Sequence, residues 1–235
     1  MQKFGLIGGT SWYSTIDYYR GINHSVNITF GNNTNPPLMV TTMNQKVIHD
    51  LEKADDWGGV AKMLITAGLD FQSVGVKAVA LCANTTHHVY DQLQAALNIP
   101  VLHIADAVGK VIAAQGWKKV GLLGTVYTME GDFVRGRLNE KFAVETLVPE
   151  KADRDRMQHY LYEEMSHGVF SPEAQDYFAR LIAAFKAEGA EAVILGCTEY
   201  PILLRDTEVC LPKIDSTECH VKDIVQFILS DELAH

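Results

Sequence analysis

The chain is short of positive charge. Twenty Lys and Arg stand against 29 Asp and Glu, a formal charge of −9 over 235 residues, and the basic residues form no stripe. Sequence-independent nucleic-acid binding needs clustered cations to displace counterions from phosphates, so no nucleic-acid partner is expected. Long apolar runs are missing as well. No stretch reaches the roughly 18 uninterrupted apolar residues that mark a membrane-spanning helix, and no membrane partner is expected. The start, "MQKFGLIGG", has no charged segment leading into an apolar run and a cleavage site, so we expect no secretory signal and a cytoplasmic location. Cysteine is sparse: Cys82, Cys197, Cys210 and Cys219. In a cytosolic chain of this size they are not a disulfide framework, and free thiols are either packing residues or reactive groups.

Cofactor signatures are also lacking. "GLIGG" is not a G-x-G-x-x-G fingerprint, and there is neither a P-loop nor a G-x-S-x-G elbow. His87 and His88 are adjacent, so on a helix they diverge by about 100°, and Cys219-His220 is too sparse for zinc. We expect no metal and no cofactor.

What is present is a core-forming composition, 47% hydrophobic, arranged in alternation. Strands are expected at 3–8, 37–42, 77–82, 100–104, 119–124 and 191–196, with a weaker one at 209–215. They are rich in Val, Ile and Leu, as strands buried on both faces should be. Helical patterns run near 57–73 and near 172–188, the second opening on Pro172, which suits a first turn. Strand and helix in alternation mean a parallel sheet covered by helices.

The chain repeats itself. "KFGLIGG" at 3–9 returns as "KVGLLGT" at 119–125, "DYYRG" at 17–21 as "DFVRG" at 132–136, and "GVKAVALCAN" at 75–84 as "GAEAVILGCT" at 189–198. The offsets, 116, 115 and 114 residues, stay nearly in register. We therefore expect an α/β fold of two similar pseudo-symmetric α/β domains, each a mainly parallel sheet flanked by helices. The first would be 1–97 plus 208–235 and the second 98–207, with the active site in the cleft between them, because ligands of open α/β sheets bind at the carboxyl ends of the strands. Aligning Gly75 with Gly189 sets Cys82 against Gly196 and Ala83 against Cys197.

Cys197 is the first chemical candidate. It follows an apolar strand and Gly196, where amides of a helix start can stabilise a thiolate. Cys82 has two readings, reactive group or core packing; strand alternation would point residues 82 and 83 to opposite faces. Cys210 and Cys219 read as structural. Thr10, Ser11, Asn84, Thr85, Thr125 and Thr198 are short donors at strand ends, suited to a small substrate with carboxylates and equally to helix capping. Glu199 reads either as part of the site or as a first-turn residue favoured by the helix dipole.

Together these residues resemble the aspartate/glutamate racemase family. "GLIGGTSW" at 5–12, "CANTTH" at 82–87 and "LGCTEY" at 195–200 match its landmarks in order, with "LHIADA" at 102–107 and "LLGTVYTM" at 122–129 in support. The cysteine-region motifs are shared with hydantoin racemases, maleate isomerases and arylmalonate decarboxylases. "SWYSTIDYY" and "TMEGDFVRGRL" look most like the branch acting on L-aspartate and L-glutamate.

The resemblance implies cofactor-free racemisation of a small acidic amino acid, aspartate or glutamate, by a cytoplasmic homodimer. Two cysteines would flank the substrate α-carbon, with Cys197 working on the L-enantiomer. Thr10, Ser11, Ala83, Asn84, Thr85, Thr125, Thr198 and Glu199 would line the substrate. Typical members carry cysteine directly before "NT", where this chain has Ala83; some have a cysteine, one other residue, then "NT", as here. Alanine cannot transfer a proton. Cys82 turns inward, or water or His87 substitutes, or the enzyme is one-sided, as a decarboxylase or a cis–trans isomerase of the same fold would be. A dicarboxylate-binding protein without turnover is the remaining alternative.

Overall fold

The computed structural model describes residues 1–230; residues 231–235, which the expected first domain includes, lie outside the described residues. The chain divides into two compact units, Met1–Ile104 with the segment from His220, and Ala105–Cys219. The expected boundaries, after residues 97 and 207, fall before these points.

The first unit begins with β1 (Phe4–Gly8), α1 (Trp12–Phe30), β2 (Leu38–Thr42), α2 (Gln45–Lys53) and α3 (Trp57–Ser73). β3 (Ala78–Leu81), a 3-10 turn at Thr85–Val89, α4 (Tyr90–Ala96) and β4 (Val101–Leu102) follow. The chain then passes through α5 (Ile104–Gln115) into β5 (Lys119–Gly124), α6 (Val126–Glu130), α7 (Asp132–Phe142), β6 (Glu145–Leu147) and α8 (Lys151–Glu163). The second unit continues with α9 (Pro172–Ala187), β7 (Ala192–Gly196), α10 (Glu199–Leu203) and β8 (Lys213–Asp215), and α11 (Ser216–Ile228) leads back to the first unit.

Each unit holds one four-stranded parallel sheet, in the order β2-β1-β3-β4 and β6-β5-β7-β8. The two orders are the same, as the repeat requires. The registers agree too: Ile7 pairs with Leu81 in the first sheet and Leu123 with Leu195 in the second. One position further on, Cys82 is therefore the structural counterpart of Gly196, and Ala83 that of Cys197.

The helices form for local reasons. Asp56 caps α3 by accepting from the Gly59 N–H at 2.8 Å. Ser171 caps α9 by accepting from the Ala174 N–H at 3.2 Å, with Pro172 fixing the first turn. Each then buries one stripe: Val60, Ala61, Leu64, Ala67, Gly68 and Phe71 in α3, and Ala174, Tyr177, Phe178, Leu181, Ile182 and Phe185 in α9. The stripes end on the same device. Phe71 lies over Gly5 and Phe185 over Gly121, where a Cβ would come within 2.5 and 2.2 Å of the ring.

Strand alternation separates two apolar clusters in the first unit. Ala78, Ala80 and Cys82 pack with Phe4, Leu6, Tyr18, Val221 and Ile224. Val79 and Leu81 pack on the other side with Leu64, Phe71 and Leu93. Burial on both faces explains why these strands read as continuous apolar runs. Three strands depart from expectation. β4 is only two residues, because Ile104 already opens α5; the segment at 209–215 narrows to Lys213–Asp215; and β6 was not anticipated.

Candidate active site

In the second unit the ends of β5 and β7 lie side by side, with Gly124 paired to Gly196. The buried Tyr200 hydroxyl donates to the Gly124 carbonyl at 3.1 Å, tying α10 to the end of β5. Thr125 follows and caps α6: its Oγ1 accepts from the Thr128 N–H at 3.2 Å and lies 3.1 Å from Thr128 Oγ1. Cys197 and Thr198 stand between β7 and α10. The Cys197 thiol donates to Glu199 Oε2 at 2.9 Å, and the Thr198 hydroxyl donates to the same oxygen at 3.0 Å.

Cys197 keeps some exposed surface, yet the protein packed around its sulfur holds the thiol well above its ordinary range. Burial is the largest cause, followed by the Glu199 charge and the hydrogen bond to it. The Glu199 and Thr198 amides also reach the sulfur and act in the opposite direction, but they lose. The amide-stabilised thiolate expected from the strand-to-helix turn is thus outweighed, and the resting group is a thiol. Glu199 is neither a simple dipole residue nor an open carboxylate: it is the acceptor for two neighbouring protons.

In the first unit the equivalent strand ends are those of β1 and β3, joined by the Cys82 N–H donating to the Ile7 carbonyl at 3.0 Å. Beyond β1 the chain makes a constrained loop. Gly9 has φ +91°, and a Cβ there would lie 2.3 Å from the Met43 backbone; only glycine fits. The Met43 N–H donates to the Gly8 carbonyl at 2.8 Å, and Thr15 Oγ1 accepts from the Gly9 N–H at 3.0 Å. His49 on α2 adds a hydrogen bond to the Thr10 backbone. Ser11 caps α1 by accepting from the Ser14 N–H at 3.4 Å, and the Ser14 hydroxyl donates to the Cys82 carbonyl. Thr10 and Ser11 are thereby held against the end of β3.

Cys82 is 2% exposed and packs in the apolar cluster behind β3. Burial alone pushes its thiol far above the ordinary range. Ala83 and Asn84 are half-buried at the strand end, and Thr85 is buried in the 3-10 turn. His88 stacks on Trp57 with ring centroids 3.9 Å apart. His87 is fully buried. Cys210 is exposed and Cys219 buried. Among the described residues no group of three or more His, Cys, Asp or Glu is arranged to hold a metal ion, and no helix is long and apolar enough to cross a membrane.

Two short-donor loops at the carboxyl ends of paired strands, repeated in two units of identical sheet order, carry the motifs singled out in the sequence. Residues 7–224 match the Asp/Glu/Hydantoin racemase family. The chain belongs to this family. By that membership the protein is an isomerase of the racemase class. The broad specificity amino-acid racemase RacX of Bacillus subtilis is 27% identical over 192 residues, covering 74% of this chain and 75% of RacX. The chain spans about half the length of several glutamate racemases that it matches. A solved structure described as a candidate Asp/Glu racemase from Yersinia pestis is 38% identical, with a TM-score of 0.92 over 97% of this chain and all of that one. A structure of an aspartate racemase homologue from Pyrococcus horikoshii is 33% identical, with a TM-score of 0.84 over 97% and 99%.

Several residues around this racemase's strand ends have contacts that the sequence did not signal: Ser14 on the Cys82 carbonyl, Thr15 on the Gly9 amide, and Tyr200 on the Gly124 carbonyl. All three stood inside quoted motifs, but only contact geometry reveals their partners. Ser14 and Thr15 are unremarkable as a pattern, since short hydroxyl side chains near a helix start usually bond locally and so conceal a tertiary contact.

Proposed function

We propose that the protein racemises a small acidic amino acid, aspartate or glutamate, without a cofactor, and that Cys197 exchanges the α-proton. The observation that carries this reading is the 2.9 Å hydrogen bond from the Cys197 thiol to Glu199 Oε2. It supplies a proton acceptor beside a thiol that must become a thiolate before it can act as a base. Glu199 takes the thiol proton, the thiolate takes the α-proton, and the negative charge spreads into the substrate carboxylate. Thr10, Ser11, Asn84, Thr85, Thr125 and Thr198 are the donors we assign to the substrate's carboxylates. Fixed neutral donors of this kind stabilise developing charge without reorganisation. Homodimeric assembly and a cytoplasmic location belong to the same proposal.

Racemisation also needs an acid for the second face of the α-carbon. The burial of Cys82 and the alanine at 83 favour water in that role. They equally favour a second reading, a one-sided enzyme of the same fold that delivers a proton to a single face. Incubation of each enantiomer of aspartate and glutamate in deuterated water separates the two. Exchange of the α-proton in both enantiomers, lost in Cys197→Ala, supports the racemase. Absence of exchange in all four, with carbon dioxide release from a substituted malonate or conversion of maleate, supports the one-sided enzyme.

A further inference from the structure

Behind the Ala83–Thr85 segment sits a histidine that the reaction does not use. His87 is fully buried in the 3-10 turn, and main-chain atoms engage both of its ring nitrogens. Nδ1 lies 2.9 Å from the Ala83 carbonyl and 3.2 Å from the Asn84 carbonyl. Nε2 lies 3.2 Å from the Ile104 amide nitrogen, which donates to it. A carbonyl can only accept and a main-chain N–H can only donate, so the proton is on Nδ1 and the lone pair on Nε2. This assignment also removes His87 as a stand-in for the missing thiol, since neither nitrogen is available to a substrate.

Two further imidazoles pack against the ring at an angle. His103, 3% exposed, lies with its centroid 4.5 Å away, and fully buried His220 with its centroid at 5.8 Å. His220 is itself fixed: its Nδ1 is 2.8 Å from the Tyr18 hydroxyl and its Nε2 3.2 Å from the Leu102 carbonyl. Side chains from α1 and α11 thus support a ring that grips the site loop.

We propose that His87 is a positioning residue: a neutral, Nδ1-protonated strut that sets the Ala83–Thr85 backbone against the fixed amide of Ile104. The proposal rests on the reading that Asn84 and Thr85 bind substrate. Its two ends can be tested separately. His87→Asn keeps a donor near the place of Nδ1, His87→Gln keeps an acceptor near the place of Nε2, and His87→Phe keeps only the ring.

Imidazole nitrogen NMR of the unsubstituted protein should show His87 as the neutral Nδ1–H tautomer. Amide hydrogen exchange at residues 84–86 should be close to unsubstituted in His87→Asn and about tenfold faster in His87→Gln and His87→Phe, the loss of one hydrogen bond of ordinary net strength. In the substrate assay, His87→Gln should raise KM about tenfold with kcat changed far less, and His87→Asn should restore KM. An Nε2–H or doubly protonated ring overturns the proposal, as does equal protection of the loop in His87→Asn and His87→Gln. The tautomer is read on the unsubstituted protein, so a variant that fails to fold does not remove the test. If that protein exchanges no α-proton from any acidic amino acid, the functional reading fails, while the tautomer and the loop exchange still decide the role of His87.

Discussion

The Cys197 thiol and the Glu199 carboxylate share one proton across 2.9 Å, two residues apart in the chain. The carboxylate has two opposed effects. It accepts the thiol proton, and its charge disfavours the thiolate it creates. In Glu199→Gln the charge is gone, so the thiol should titrate at lower pH, visible as a downward shift in the pH dependence of iodoacetamide labelling at Cys197. Substrate α-proton exchange should nevertheless fall by about a hundredfold, because the proton acceptor is lost. An unchanged labelling profile would show that the two groups are not coupled.

The register that matches Ala83 to Cys197 makes a gain-of-function experiment possible. Ala83→Cys restores a thiol at the counterpart position. If water serves the second face in the present protein, the variant should accelerate α-proton exchange from the D-enantiomer by about a hundredfold or more, while exchange from the L-enantiomer changes little. Equal acceleration of both enantiomers, or none, would count against the assignment of position 83.

Cys82 gives a contrasting expectation. It lies in the buried apolar cluster of Phe4, Leu6 and Tyr18, so Cys82→Ser should cost about 1–3 kcal/mol in chemical denaturation and leave exchange per folded molecule near unsubstituted levels. The raised thiol has a pH signature. Above its ordinary value of 9.0 the unfolded chain releases this proton and the folded chain keeps it, so stability falls as pH rises from there. Cys82→Val should flatten that alkaline decline. Loss of exchange in a folded Cys82→Ala protein would instead place Cys82 in the reaction.

Glu52 on α2 sets a second pH dependence. It is 7% exposed, and burial pushes its carboxyl from 4.5 up to about 7. Between those values the unfolded chain has released the proton and the folded chain retains it, so stability declines as pH rises from about 4.5 to about 7 and is level beyond. The size of the decline is on the order of 2–3 kcal/mol. Glu52→Gln should remove it: urea denaturation midpoints of the variant should stay level between pH 5 and pH 8, where those of the unsubstituted protein fall.

Much of the fold was legible because the buried strands carry unbroken apolar runs and the repeat ties two of them in each half to a shared register. The 57–73 and 172–188 helices stood out by their stripes and, at Pro172, by a start signal. Glu145–Leu147 escaped because it is short and carries Glu145 and Thr146 at a sheet edge, with no apolar run to mark it. At the end of β3, the packing reading of Cys82 follows from alternation, and Cys82 joins Ala78 and Ala80 in their cluster. The full burial of His87 was not legible. Two adjacent histidines carry no periodicity; the Ala83 and Asn84 carbonyls that hold Nδ1 are local to the turn, but the Ile104 amide that fixes the other nitrogen comes from tertiary placement.

The core beneath β1 and β3 is closed in part by Val221, Ile224 and Ile228 of α11, on the far side of the whole second unit in the chain. Synthesis on the ribosome therefore delivers the parts out of structural order. The sheet that emerges first must wait, with the face of Phe4, Leu6 and Cys82 covered only by Tyr18, Ile22 and Val26 of α1, until the intervening unit has been made and α11 follows it. Residues 105–219 carry their own complete cluster and can consolidate during that interval. Nascent chains halted before α11 would therefore leave part of an apolar sheet face exposed, a state in which chaperone capture or aggregation competes with folding.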